Sequence, residues 1–293
     1  MGGHPSQPQG FTLIELSIVL VIIGLIVGGV LVGQDLVRAA GVRATITQVE
    51  KFNQAANTFF GKYGYLPGDI PDPLATQMGL TPRGPYAGQG DGNGTLQGNS
   101  ANIASGANWG WVDGAGETVM FWVDLTTANG LNLNLIDGSF SAASPITNVN
   151  VAASQLSSYF PAAKIGGGNY FYIWSYNNNS QTGSPNYFGL SAVSAVSGAG
   201  GCLECIDSSP GLTVKQAYDI DKKIDDGLPK TGRVIARFVD GSDTYGMYTP
   251  WAPNAGTSSS STCYDTTSGN YSVTISGGSN VNCALSFTMQ AGD

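Results

Sequence analysis

GFTLIELSIVLVIIGLIVGGVLV, residues 10–32, holds a single charged side chain, Glu15, and no proline. At roughly 1.5 Å per residue, the apolar part from Phe11 to Val32 extends about 33 Å as a helix, enough to cross a hydrocarbon core of about 30 Å. A cleaved secretory signal fits less well, because its apolar region is shorter and a small-residue site follows it. Gly24, Gly28, Gly29 and Gly33 form overlapping Gly-x-x-x-Gly pairs that permit close helix approach. Beyond the span, Val42, Ile46, Val49, Phe52, Ala56 and Phe59/Phe60 recur at spacings of three and four, which predicts that the helix continues with one apolar face. Gly61, Gly64 and Pro67 stop it.

The residues at the head of this stretch carry a resemblance. Gly10-Phe11-Thr12-Leu13-Ile14-Glu15, followed by an unbroken apolar helix, resembles the processing site of type IV prepilins and type II secretion pseudopilins. The resemblance implies cleavage after Gly10 by a prepilin peptidase and N-methylation of Phe11. It also implies insertion into membrane lipid and assembly with other pilin or pseudopilin subunits through an inner-membrane assembly platform. It divides the chain into a leader (1–10), a transmembrane and amphipathic helix (11–62) and an extracytoplasmic head (63–293). The expected location is the bacterial inner membrane, single-pass with a periplasmic head, and then a filament. The leader departs from the usual pattern in having no Lys or Arg. Glu15 has a physical rationale, since a carboxylate inside a membrane helix is costly and persists where something needs it. By family precedent it meets the Phe11 amine of a neighbouring subunit; the plain alternative is a residue snorkelling at the membrane edge.

Composition narrows the function classes. The chain has 293 residues, of which 11% are charged, with a net charge of −8. That balance gives no basic footprint for nucleic acid, and no Lys or Arg lies between Arg83 and Lys164. The single histidine, His4, falls in the leader. Its removal leaves no imidazole for a Ser-His-Asp triad or a histidine metal site. An enzyme is therefore not expected.

From Tyr63 onward, Gly, Asn, Ser, Thr and aromatic residues dominate. ETVMFWVDL (117–125) reads as a short helix with Gly130 as terminator, and residues 170–176, 187–193, 233–239 and 271–276 read as strands. Thr213-x-x-Gln216 predicts a capping box opening a helix over 215–226, closed by Gly227 and Pro229. The expected fold class is α+β, pilin-like: a long N-terminal helix whose second half packs on an antiparallel sheet. YGYLPGD (63–69), GDGNG (90–94), the Glu117…Phe121-Trp122…Leu125 pattern and DIDKKIDDGLPKTGRV (219–234) are similar to a group of large pilin-like proteins, a resemblance that supplies no activity.

Two head features offer chemistry. Asp91, Asn93 and Thr95 place oxygen side chains at alternate positions, as calcium loops do, although Leu96 stands where an EF-hand needs glycine. A plain turn is the ordinary reading, and calcium the alternative; no other cofactor is expected. Asp225 and Asp226 sit at a helix C-terminus, against the macrodipole, and read as a corner salt-bridged by Lys230 or Arg233, or as a cation site. Cys202, Cys205, Cys263 and Cys283 predict two disulfides in an oxidising compartment. Three pairings are open, and proximity favours Cys202–Cys205 with Cys263–Cys283. A four-cysteine zinc site fits poorly, because the second pair lacks close spacing. Two function classes follow: a filament subunit, in which the chain's size favours a minor one, and a membrane-anchored module recognising a carbohydrate, surface or exported protein.

Overall fold

The computed structural model describes residues 10–81, 89–98, 114, 116–126, 135–140, 151–175, 185–197, 205–241 and 250–291. The leader up to Gln9, Gly130, Tyr176 and Cys202, all named above, lie outside the described residues. Helix α1 runs Leu13–Tyr63. The chain divides into two compact units between Gly41 and Val42. In the first, the large apolar side chains from Leu13 to Val37 are exposed. The helix is long and apolar enough to cross a membrane by length and composition. A methyl group added at Gly24, Gly28, Gly29 or Gly33 would meet nothing within 4 Å.

In the second unit α1 turns one face to a core. Val42, Thr45, Val49, Phe52, Ala55, Ala56 and Phe59 are buried, the three-and-four spacing of a single helix face. Phe52 is central, with ring centroids 5.0 Å from Trp122, 5.2 Å from Phe171 and 5.8 Å from Phe188. Gly64, at φ +74°, ends the helix, and its N–H donates to the Phe60 carbonyl at 2.7 Å; a left-handed residue after a helix is glycine's usual position. Helices α2 (Leu74–Gln77) and α3 (Glu117–Leu125) follow, α3 buried along its whole length.

The sheet is antiparallel, as expected. Strands β1 (Asn169–Ser175), β2 (Asn186–Ser197) and β3 (Cys205–Ser209) precede β4 (Leu212–Thr213) and helix α4 (Val214–Ile224). Then come β5 (Val234–Ile235), β6 (Ala255–Gly256), β7 (Tyr264–Asp265), β8 (Val281–Cys283) and β9 (Leu285–Thr288). The main sheet has the order β1-β2-β9-β5, with β3 also on β2. Ala192 pairs with Asn169 of β1 and with Ser209 of β3. β3 and β9 therefore share the edge of β2 opposite β1. Pairs β4–β8 and β6–β7 stand apart from this sheet.

Three expectations needed correction. The strand over 271–276 is absent: Tyr271 forms one bridge to Tyr264, and Ile275–Gly278 is a 3₁₀ turn with Ser276 and Gly277 at positive φ. The strand over 233–239 shrinks to β5, because the Ala236 N–H turns away to the Pro229 carbonyl at 2.7 Å. The strand over 187–193 instead runs on to Ser197. Helix α4 has its capping box: Gln216 N–H donates to Thr213 Oγ1 at 3.1 Å, and Thr213 N–H to Gln216 Oε1 at 2.9 Å.

Candidate functional site

At the start of α1, Glu15 is held by its own helix. Thr12 N–H and Thr12 Oγ1 both donate to Glu15 Oε2 at 2.7 Å, and Glu15 N–H donates to Thr12 Oγ1 at 3.3 Å. This is a capping box, which satisfies helix-terminal N–H groups reciprocally. The other carboxylate oxygen makes no hydrogen bond among the described residues, and Phe11 is 83% exposed. Glu15 therefore reaches the surface pre-aimed, with one oxygen engaged and one open. Sequence reasoning passed over Thr12, although Thr12-x-x-Glu15 is the spacing that signals such a box.

Three quoted head segments converge on a second site. One carboxylate oxygen each from Asp69, Asp91 and Glu117 lies within 4.8 Å of the others. Asp69 is buried and accepts N–H bonds from Gly92 and Gly94, both 2.8 Å. Glu117 Oε1 accepts from Asp91 N–H at 3.2 Å, and Glu117 Oε2 from Gln97 N–H at 2.7 Å. Asn186 fixes the far side of the loop, accepting from Leu96 N–H at 2.8 Å and donating to the Gly94 carbonyl at 2.9 Å. Behind the loop, buried Asp124 accepts from Gly68 N–H at 2.8 Å and from Gln89 Nε2 at 2.6 Å. Burial pushes both Asp69 and Asp124 up to about 7, with the N–H donors opposing it; the Asp91 charge raises Asp69 further.

The oxygen set expected for calcium is rearranged. Asn93 Nδ2, not its oxygen, faces Asp91 Oδ2 at 2.9 Å, because Asn93 Oδ1 is taken by Thr95 N–H at 2.7 Å. Asp91 Oδ1 in turn accepts Asn93 N–H at 3.0 Å. These are side-chain-capped turns. The residues that could share a cation here are Asp69, Asp91 and Glu117, and two of them lie outside the Asp91–Thr95 loop.

Backbone and hydroxyl donors hold the α4 corner in place of the expected salt bridges, and for the cation alternative one carboxylate oxygen each from Asp221, Asp225 and Asp226 lies within 4.8 Å of the others. Asp225 Oδ2 accepts from the N–H groups of Arg233 and, at 3.3 Å, Val234; Asp226 accepts from Leu228 N–H at 2.8 Å and Thr231 Oγ1 at 2.6 Å. The Arg233 guanidinium goes to the Ile224 carbonyl at 3.2 Å, where a cation complements the helix end. Buried Asp221 accepts from Tyr271 Oη at 2.8 Å and Gly227 N–H at 3.0 Å, and burial pushes it up to about 7. Cys263 and Cys283 are joined, Cys205 is disulfide-bonded, and no free cysteine occurs among the described residues. That excludes thiolate zinc ligation by the described cysteines.

The family described as the prokaryotic N-terminal methylation motif matches residues 6–31. Comparison of the chain with curated proteins and with solved structures returns no match. The motif and the long apolar helix are consistent with a type IV pilin-like protein, and helix plus antiparallel sheet is a pilin-like α+β architecture. The motif implies processing by prepilin peptidase and assembly with other pilins, and with the apolar helix it indicates membrane anchoring.

Proposed function

We propose that this chain is a structural, non-enzymatic subunit of a type IV pilus or type II secretion pseudopilus. In this reading it is processed after Gly10, methylated at Phe11 and assembled through α1 from the inner membrane, with its head on the periplasmic side. The observation that carries the reading is a methylation motif set on a helix whose large apolar side chains from Leu13 to Val37 are exposed and whose glycines from Gly24 to Gly33 meet nothing within 4 Å among the described residues. Exposed apolar surface of that extent requires lipid or other helices, and bare glycines let helix backbones approach closely. Disulfides in the head agree with export to an oxidising compartment. Glu15 then exchanges Thr12 for, or shares it with, the Phe11 amine of a neighbour.

Two measurements test this. Intact mass of membrane-extracted protein is expected to show loss of residues 1–10 and gain of one methyl group; full-length protein in cells with active prepilin peptidase overturns it. Glu15→Val removes a carboxylate that is unfavourable in lipid, so membrane levels hold or rise. Co-purification with sheared filaments falls, since the neighbouring amine loses its partner in a low-dielectric setting. Unchanged incorporation at matched membrane levels favours the anchored binding module instead.

A further inference from the structure

Within the second unit, residues 44–52 of α1, the loop 136–140 and the segment 157–164 line an open-mouthed cavity of about 580 Å³, a size at which proteins hold small molecules. Its apolar lining includes Phe52, Phe140 and Phe160, with Phe52 and Phe160 themselves buried. The walls are fixed before any ligand arrives. Gln48 clamps one of them to α1, donating from Nε2 to the Ala162 carbonyl and accepting Lys164 N–H at Oε1, both at 3.0 Å. Gly138, at φ +120°, lets the opposite wall fold over Phe140, whose ring would lie 3.1 Å from an added methyl group.

The charges at this cavity run against the molecule. The chain carries −8 overall, with 12 Lys and Arg, yet Lys51 and Lys164 both line this cavity with Asp137 as their only acidic companion there. Lys51 Nζ is paired with Asp137 Oδ2 at 3.1 Å. The Lys164 ammonium has no partner among the described residues. One unpaired cation beside an aromatic lining selects a ligand with one negative charge and an apolar body; a phosphate or dianion would call for an Arg fork or several cations.

We propose that this cavity binds an amphipathic monocarboxylate, its apolar body along Phe140 and Ala44, above a floor made by the buried Phe52 and Phe160, and its carboxylate at Lys164. The test uses the full chain in lipid vesicles, irradiated with the photoprobe 4-benzoylbenzoate and mapped by peptide mass spectrometry. Saturable labelling is expected at peptides containing Phe52, residues 136–140 and residues 157–164. Lys164→Glu lowers it about tenfold, the size of one lost charge-assisted contact with repulsion in its place. Label within residues 13–37 reports partition into lipid and stays unchanged. Asp137→Asn releases Lys51 and raises cavity labelling. Ala162→Trp, at an exposed position on the rim, blocks it without moving the thermal unfolding midpoint. Label confined to residues 13–37, cavity label indifferent to Lys164→Glu or to Ala162→Trp, or equal labelling by uncharged benzophenone overturns the proposal.

Discussion

Gly68 stands where two requirements meet. Its φ of +83° is open to few side chains, and an added methyl group would press on the Glu117 carbonyl and lie 2.8 Å from the Phe121 nitrogen, both backbone atoms of α3. Backbone cannot swing aside as a long side chain can. Gly68 N–H also anchors Asp124, so displacement here strips a buried carboxylate of one of its donors. Gly68→Ala is expected to destabilise the head by about 2–4 kcal/mol, combining left-handed strain with overpacking, and chemical denaturation followed by tryptophan fluorescence reads it directly. Gly64 is the contrast. It too has positive φ, yet nothing lies within 4 Å of an added methyl group, so Gly64→Ala carries the conformational cost alone, about 1 kcal/mol.

At the level of elements, one covalent link joins distant turns. Cys283 in β8 pairs with Leu212 of β4 in the sheet ladder and by disulfide with Cys263, just before β7. Closing a loop of this length is worth about 3 kcal/mol through the unfolded chain, so Cys263→Ala with Cys283→Ala is expected to lose that much in the same unfolding assay. The elements that sequence foretold are those with local signals: the periodic α1 with its glycine stop, α3, α4 with its capping box, and β1 and β2 with their aromatic and β-branched runs. β3 and β9 escaped notice because CIDSS and LSFT are short and owe their state to neighbours. Ser286 of β9, for example, is held between the Trp174 indole and the Arg237 carbonyl. Residues 271–276 misled for the reverse reason. Their β-branched pattern favours a strand, but the Val273 N–H closes back on the Tyr271 carbonyl at 2.8 Å and Ser276-Gly277 turn the chain. The acidic hub was unreadable because its carboxylates come from positions 69, 91 and 117, and no spacing rule links them.

For the whole molecule, buried acids set a pH dependence. Asp69, Asp124 and Asp221 are each pushed up to about 7, against an ordinary value of 3.8. Between those limits the folded chain binds more protons than the unfolded one, so stability falls as pH rises toward and through 7. The thermal midpoint is expected to be higher near pH 5.5 than near pH 8, with the slope reduced in Asp124→Asn; a midpoint that climbs across this interval contradicts the assignment. A different consequence follows from the position of β9. It lies between β2 and β5, pairing Tyr187 with Thr288 and Val234 with Phe287, while Gln290 N–H returns to Asn53 on α1 at 3.0 Å. The middle of the sheet is thus filled by a segment synthesised long after its neighbours, and non-local pairings of this kind form slowly. If α1 is inserted as proposed, the anchor is in place well before the head can close. Until residue 288 arrives, β5 and the Tyr187–Leu190 stretch of β2 keep an open edge, the state most exposed to proteases and to mispairing.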